Sequence, residues 1–218
     1  MKSQLKVTLR TSPQQSARLH ALQQAFAQVC NVLSPLVQQT TCWNRVALHH
    51  MAYKQLRQQF PGLGSQMVCN AIYSVSRACR VVYQHPNSPF NAQRLAGKPL
   101  PLIQFLPQAP VYFDRHTLSL KDGQVSMFTM DGRMRFELKL SDEDEHQFRT
   151  GKLREIVLTS KADVLSLSFS FASEIETDAA SVAAADSDDL PEYLLVVEDG
   201  RVPHAPALQV AHIQGSPP

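Results

Sequence analysis

No aspartate or glutamate occurs before Asp114, although that stretch carries eleven lysines and arginines. The absence excludes an ordinary helix surface, on which basic side chains alternate with acids and pair with them one turn away. The remainder carries ten basic residues against nineteen acids, so the overall charge of +2 conceals halves of +11 and −9. A region from which carboxylates are missing altogether suits a polyanion lying against it, and nucleic acid is the leading candidate.

Other shortages narrow the class. Aromatics make up 7% and charged residues 18%, but the apolar fraction of 44% is that of a folded chain rather than a disordered one. No phosphate-binding glycine loop, nucleophile elbow or HExxH motif is present. The four cysteines, Cys30, Cys42, Cys69 and Cys79, are 12, 27 and 10 residues apart with no CxxC. That spacing argues against a zinc ribbon and for free thiols, so neither metal nor cofactor is expected. No apolar run is long enough to cross a bilayer and Met1–Gln4 opens no signal core, which predicts a soluble, cytoplasmic protein with no membrane partner.

What is present falls into an unusual order. Gln4 to Arg10 alternates, with Leu5, Val7 and Leu9 on one side, and predicts a strand. Ser12-Pro13-Gln14-Gln15 then offers an N-cap, a proline at the first helical position and a capping-box partner. Leu19, Leu22, Phe26, Val29, Leu33 and Leu36 keep helical spacing up to Pro35, which is expected to kink or end the helix. A second helix is predicted from Asn44 to Phe60, and a third is predicted to be capped by Ser65. In the third, Val68, Ile72, Val75, Cys79 and Val82 form one apolar stripe, leaving Gln66, Asn70, Tyr73, Arg77 and Arg80 opposite.

Prolines cluster from Pro86 to Pro110, as in a connector. From Val111 the period changes to two. Short strands are predicted at 111–113, 116–120, 124–130, 133–140, 152–159 and 164–171, with Asp122-Gly123 and Asp131-Gly132 as hairpin turns. Ser141 to Phe148 is acidic and predicts one helical turn or a loop. Residues 174–190 read as an acidic linker, and Tyr193–Val197 as an isolated strand. The predicted fold class is α+β, a small antiparallel barrel with a helical lobe inserted after its first strand.

This order resembles the N-terminal half of the TnpB nucleases of bacterial transposons and of their descendants, the compact type V CRISPR effectors. The residues that carry the likeness are Lys6 to Gln15; Tyr53, Leu56, Arg57, Phe60, Pro61, Leu63, Ser65 and Gln66 with the helix to Tyr83; Tyr112-Phe113-Asp114; Leu118–Leu120; Asp131-Gly132-Arg133; and Gly151–Val157. Each motif is degenerate, and their order over residues 3–173 makes the resemblance. It implies a division into a first barrel strand at 1–11, a helical recognition lobe at 12–85, a connector at 86–108, a wedge barrel at 109–173, and an acidic linker and tail at 174–218. The implied partners are a guide RNA and target DNA as heteroduplex, held by shape and backbone, with further protein subunits where the assembly has them.

Family nucleases continue into a RuvC-like domain, whereas here only Val196 to Gly200 is reminiscent of its first metal-binding strand, and Asp199 is expected to be a plain turn. No enzymatic activity is therefore expected of this chain alone. The expected nucleic-acid contacts are Lys2, Lys6, Arg10, Lys54, Arg57, Arg77, Arg80, Arg94, Lys98, Arg133, Arg135, Lys152, Arg154 and Lys161, with Tyr73 as a stacking platform. The competing readings are the RNA-recognition half of a split nuclease whose active site lies on a partner chain, an RNA-independent DNA-binding regulator, and a decayed transposon remnant.

Overall fold

The computed structural model describes residues 4–121, 123–138, 140–172 and 190–197. Lys2, Asp122, the linker at 174–189, Asp199 and the tail lie outside them. Strand β1 (Gln4–Thr8) leads into helix α1 (Pro13–Thr40) through the expected cap. Ser12 Oγ accepts the Gln15 N–H at 3.3 Å, Gln15 Oε1 accepts the Ser12 N–H at 2.9 Å, and Pro13 takes the first helical position. The stripe from Leu19 to Leu36 is wholly buried. Each such side chain contributes about 1.5–3 kcal/mol relative to exposure.

Pro35 does not end this helix, which runs on to Thr40 and stops at Thr41 in the left-handed region. An interior proline costs roughly 3 kcal/mol. Leu33, Leu36 and Val37, all buried around it, offset that cost and hold the last turns in place. Helix α2 (Arg45–Gln59) starts where Asn44 Oδ1 accepts the N–H groups of Val46 and Ala47 at 3.0 and 3.1 Å. Helix α3 (Ser65–Cys79) is not capped by Ser65: Gly64 holds the cap position without a side-chain bond. Its stripe, Val68 to Val82, is buried as expected, but Asn70, Ser74 and Ser76 are buried as well. The helix is thus enclosed on more than one side.

Strands β2 (Leu102–Phe105), β3 (Val111–Phe113), β4 (Leu118–Lys121), β5 (Gln124–Thr129), β6 (Gly132–Glu137), β7 (Leu153–Lys161), β8 (Val164–Phe171) and β9 (Leu194–Val197) follow, with α4 (Asp142–Thr150) between β6 and β7. The fold is α+β, and every ladder is antiparallel. The strands form three sheets, β1-β8-β7-β3, β4-β5-β6 and β2-β9, so backbone pairing among the described residues closes no barrel. Only β4–β6 is a meander. Gly132, at φ 90°, supplies the positive dihedral that the turn into β6 requires.

β1 joins a sheet whose other members lie more than a hundred residues later, with Lys6 opposite Ser168 and Val7 opposite Leu167. Leu5, Phe169, Ile156 and Phe113 line up across all four strands on one buried face. The core is continuous from the helices into both larger sheets.

The proline-rich stretch is more than a connector. β2 lies within it, and Asn31 of α1 clamps that strand at two points: Nδ2 donates to the Phe105 carbonyl at 2.9 Å and Oδ1 accepts the Phe105 N–H at 2.6 Å. β9, expected to be isolated, pairs with β2 from Leu102–Val197 to Phe105–Leu194. Ser141–Phe148 is also more ordered than a single turn. α4 is nine residues long, capped by Ser141 Oγ, with four acids in its first turn, where the helix dipole favours them.

Candidate nucleic-acid interface

The expected exposed face of α3 is the first correction. Arg77 Nη1 donates to Glu155 Oε1 of β7 at 2.7 Å, and Tyr73 Oη donates to the same oxygen at 3.0 Å. The Tyr73 ring meets Tyr112 edge-on at 5.5 Å and carries the Arg45 guanidinium at 5.3 Å. Arg77 also sits 5.8 Å from the Tyr112 ring. Burial, followed by the neighbouring Glu155, holds the Tyr73 phenol above its ordinary range, and burial pushes Tyr112 higher still. Arg77 is therefore occupied as the cation of a cross-lobe network, and the Tyr73 ring is covered on both counts. Asn70, placed on the same face, is buried and donates to the Tyr112 carbonyl at 3.1 Å. The reason lies in the tertiary packing: β3 and β7 cover the side of α3 that a lone amphipathic helix would give to solvent.

Arg18 repeats the pattern at the other sheet. Its Nη2 donates to Thr129 Oγ1 at 2.7 Å and to the Asp131 carbonyl at 3.0 Å, and its Nε lies 3.8 Å from the Asp131 carboxylate. One acid from the later half thus meets one arginine of the earlier half at each of two docking points.

Arg45, Lys54 and Arg57 are different. Among the described residues no carboxylate comes within salt-bridge distance of any of them. A groove of about 410 Å³ between α2 and α3 is lined by Arg45, Val46, His49, Gln66, Cys69 and Ile72, with no acid among them. Burial pushes the Cys69 thiol up, with Arg45 and Arg57 pulling the other way and the Asp114 carboxylate adding to the rise. Arg57 Nη1 also donates to the Leu63 carbonyl, which pins its guanidinium beside the α2–α3 turn. His49 stacks on Tyr53 at 4.6 Å, and Lys54 is exposed one turn from the Asn44-to-His50 end. Arg45 was not singled out from the sequence because its neighbours at i+3 and i+4 are Leu48 and His49. Only the packing of α2 against α3 brings it beside Tyr73.

A second basic surface is the outer face of β4–β6. Register puts Ser119, Ser126 and Arg135 in one row and Lys121, Gln124 and Glu137 in the next. Arg133 lies across this face, donating to Ser126 Oγ and carbonyl at 2.9 and 2.7 Å and to the His116 carbonyl at 3.3 Å. Its position is thus fixed, and among the described residues no carboxylate comes within salt-bridge distance of it. Lys6, Arg10, Arg94, Lys98, Lys152, Arg154 and Lys161 are exposed, and Arg80 is half-buried. Lys161 lies 3.9 Å from Glu192, with both side chains over four-fifths exposed. These positions are distributed over β1, β7, the connector and the end of α3, so the fold does not gather all the expected cations into one patch.

A third concavity, of about 470 Å³, opens between the two larger sheets and α4. Its rim mixes Arg115, Lys121 and Arg149 with Glu145 of the acidic helix, which makes it a poorer seat for phosphate than the α2–α3 groove. The chain matches no model of a known protein family, and it matches no curated protein.

Proposed function

We propose that this chain is the non-catalytic RNA-binding module of an RNA-guided, DNA-targeting assembly of the TnpB or type V kind, holding a guide RNA and its heteroduplex with target DNA. The observation that carries the reading is the groove between α2 and α3, which Arg45 lines with no acid among the lining residues, together with Lys54 and Arg57 of the same helix; among the described residues none of the three cations has a carboxylate within salt-bridge distance. Free cations on a rigid helix pair release counterions when they meet phosphates, and they read backbone shape rather than base sequence. The outer face of β4–β6, with Arg133 fixed in place and Arg135 beside it, extends the basic surface. The interrupted oligonucleotide-binding barrel belongs to the same proposal. β1 precedes the helices in the chain yet stands beside β8 in the sheet, the connectivity of a barrel strand separated from its partners by an insertion.

The test is purification of the full chain from its host with and without nuclease treatment, followed by sequencing of any bound RNA. One discrete, structured RNA class is expected, and its affinity should fall steeply between low and physiological salt. Identical absorbance ratios in both preparations, with no recoverable RNA, would refute the reading.

A further inference from the structure

The end of α3 departs from α-helical geometry. Arg80–Gln84 forms a single π-helical turn, in which the His85 N–H reaches back five residues to the Arg80 carbonyl at 3.0 Å. Such turns are rare, and many occur at functional sites. Here the turn is locked from outside: Ala92 N–H donates to the Tyr83 carbonyl at 2.9 Å, and Ser88 Oγ donates to the Val82 carbonyl at 2.5 Å. The connector is thereby folded back over the helix end.

Between them lies a pocket of about 650 Å³, lined by Trp43, Tyr83, Gln84, Pro86, Asn91–Gln93 and Arg94. Its volume suits a small planar ligand. Trp43 is half-buried and packs 5.5 Å from the Tyr83 ring, while its carbonyl accepts from Ser76 Oγ at 2.7 Å. The indole is therefore held in place before any ligand arrives. Arg94 is exposed on the rim, and Lys98 is exposed one turn further along the chain. The amides of Gln84 and Gln93 are exposed there too, each able to donate and to accept. All the lining residues come from the carboxylate-free part of the chain, so no acid stands among them.

We propose that this pocket takes one unpaired nucleotide of the bound RNA, with its base stacked on Trp43 and its phosphate on Arg94. A fixed indole beside a cation is the arrangement that grips a single base without demanding its identity. The amides on the rim hydrogen-bond whichever edge is presented. This rests on the RNA-binding reading above and adds to it a position at which the RNA must be unpaired.

Trp43 is the sole tryptophan, so its fluorescence reports this pocket in the unaltered full chain. Two RNA hairpins are compared, one carrying a single bulged nucleotide and the other fully paired. Binding is followed by anisotropy of labelled RNA, and Trp43 emission is read with unlabelled RNA. The bulged hairpin should bind about fivefold more tightly or better, given the stacking of one base. It should quench Trp43, while the paired hairpin binds without quenching. The variant Arg94→Gln should weaken the bulged hairpin more than the paired one and so erase most of the preference. Equal affinity for the two hairpins, or binding of the bulged hairpin with unaltered Trp43 emission, would overturn the pocket assignment alone. Failure of both hairpins to bind at low salt would overturn the RNA-binding reading and the pocket with it.

Discussion

The helical region and the strand region solve the problem of charge in opposite ways. From Pro13 to Gln84 the chain has no carboxylate, and its cations either lack a carboxylate partner among the described residues, as Lys54 does, or borrow an acid from elsewhere. From Val111 to Phe171 both signs occur, and some acids serve local structure: Asp114 Oδ1 accepts from the His116 and Thr117 N–H groups to close its own turn. The two regions meet through Arg18 with Asp131 and Arg77 with Glu155. The lesson is that an absence in the sequence divides in the fold. Part of it is filled across the interface between elements, and only the remainder is available to a partner.

The largest expected effect tests how dry the helical region is. Burial raises the Cys30 and Cys79 thiols far above their ordinary range, while in the unfolded chain they ionise near about 8.5. Raised folded values mean that the stability is intact below that pH and is lost above it, by about 1.4 kcal/mol per unit for each thiol that ionises only on unfolding. From pH 7 to about pH 10, urea denaturation under reducing conditions, followed by Trp43 emission, should show a loss of about 4 kcal/mol. A midpoint that does not move would show that the thiols are reached by water.

Removing the tie between the regions comes next. Arg77→Ala leaves Glu155, a fifth exposed, without its cation. Breaking a fully buried pair costs about 3–5 kcal/mol, and the one-third exposure of Arg77 reduces this to roughly 2–3 kcal/mol. Urea titration measures it, and the double variant Arg77→Met with Glu155→Leu should recover much of the loss. If Arg77→Ala costs nothing while RNA affinity falls, Arg77 belongs to the partner surface and the comparison is redrawn.

Reversing Arg45 and Lys54 to Glu should do the opposite. RNA affinity is expected to drop about tenfold or more at low salt, and the slope of log affinity on log salt should shrink by about 2, with the urea midpoint little altered. The smallest effect is expected at Lys161→Ala, whose pair with Glu192 is almost fully exposed. Its midpoint should match that of the native chain. A clear loss there would mean that the β7–β8 end is covered by something that dries the pair.

Much of the fold was legible because its signals are short-ranged. The Ser12–Gln15 cap, the Asn44 start of α2, the α1 and α3 stripes and the Asp131-Gly132 turn each depend on residues within a few positions of one another. The errors share a different cause. Pro35 does not end its helix, whose last turns are buried among apolar neighbours, and β9 found β2 some ninety residues away. The candidate interface was legible as a charge asymmetry but not residue by residue, since Tyr73 and Arg77 lost their exposure to strands that no helical wheel contains.

The sequence by itself determined the element types, the caps and the exclusion of acids from the helices, because hydrogen-bond geometry and side-chain period act over one or two turns. Only the tertiary structure decided which of those cations are spent. Arg77 and Glu155 are 78 residues apart, and a pairing at that separation depends on how α3 is laid against β7, which no local pattern encodes.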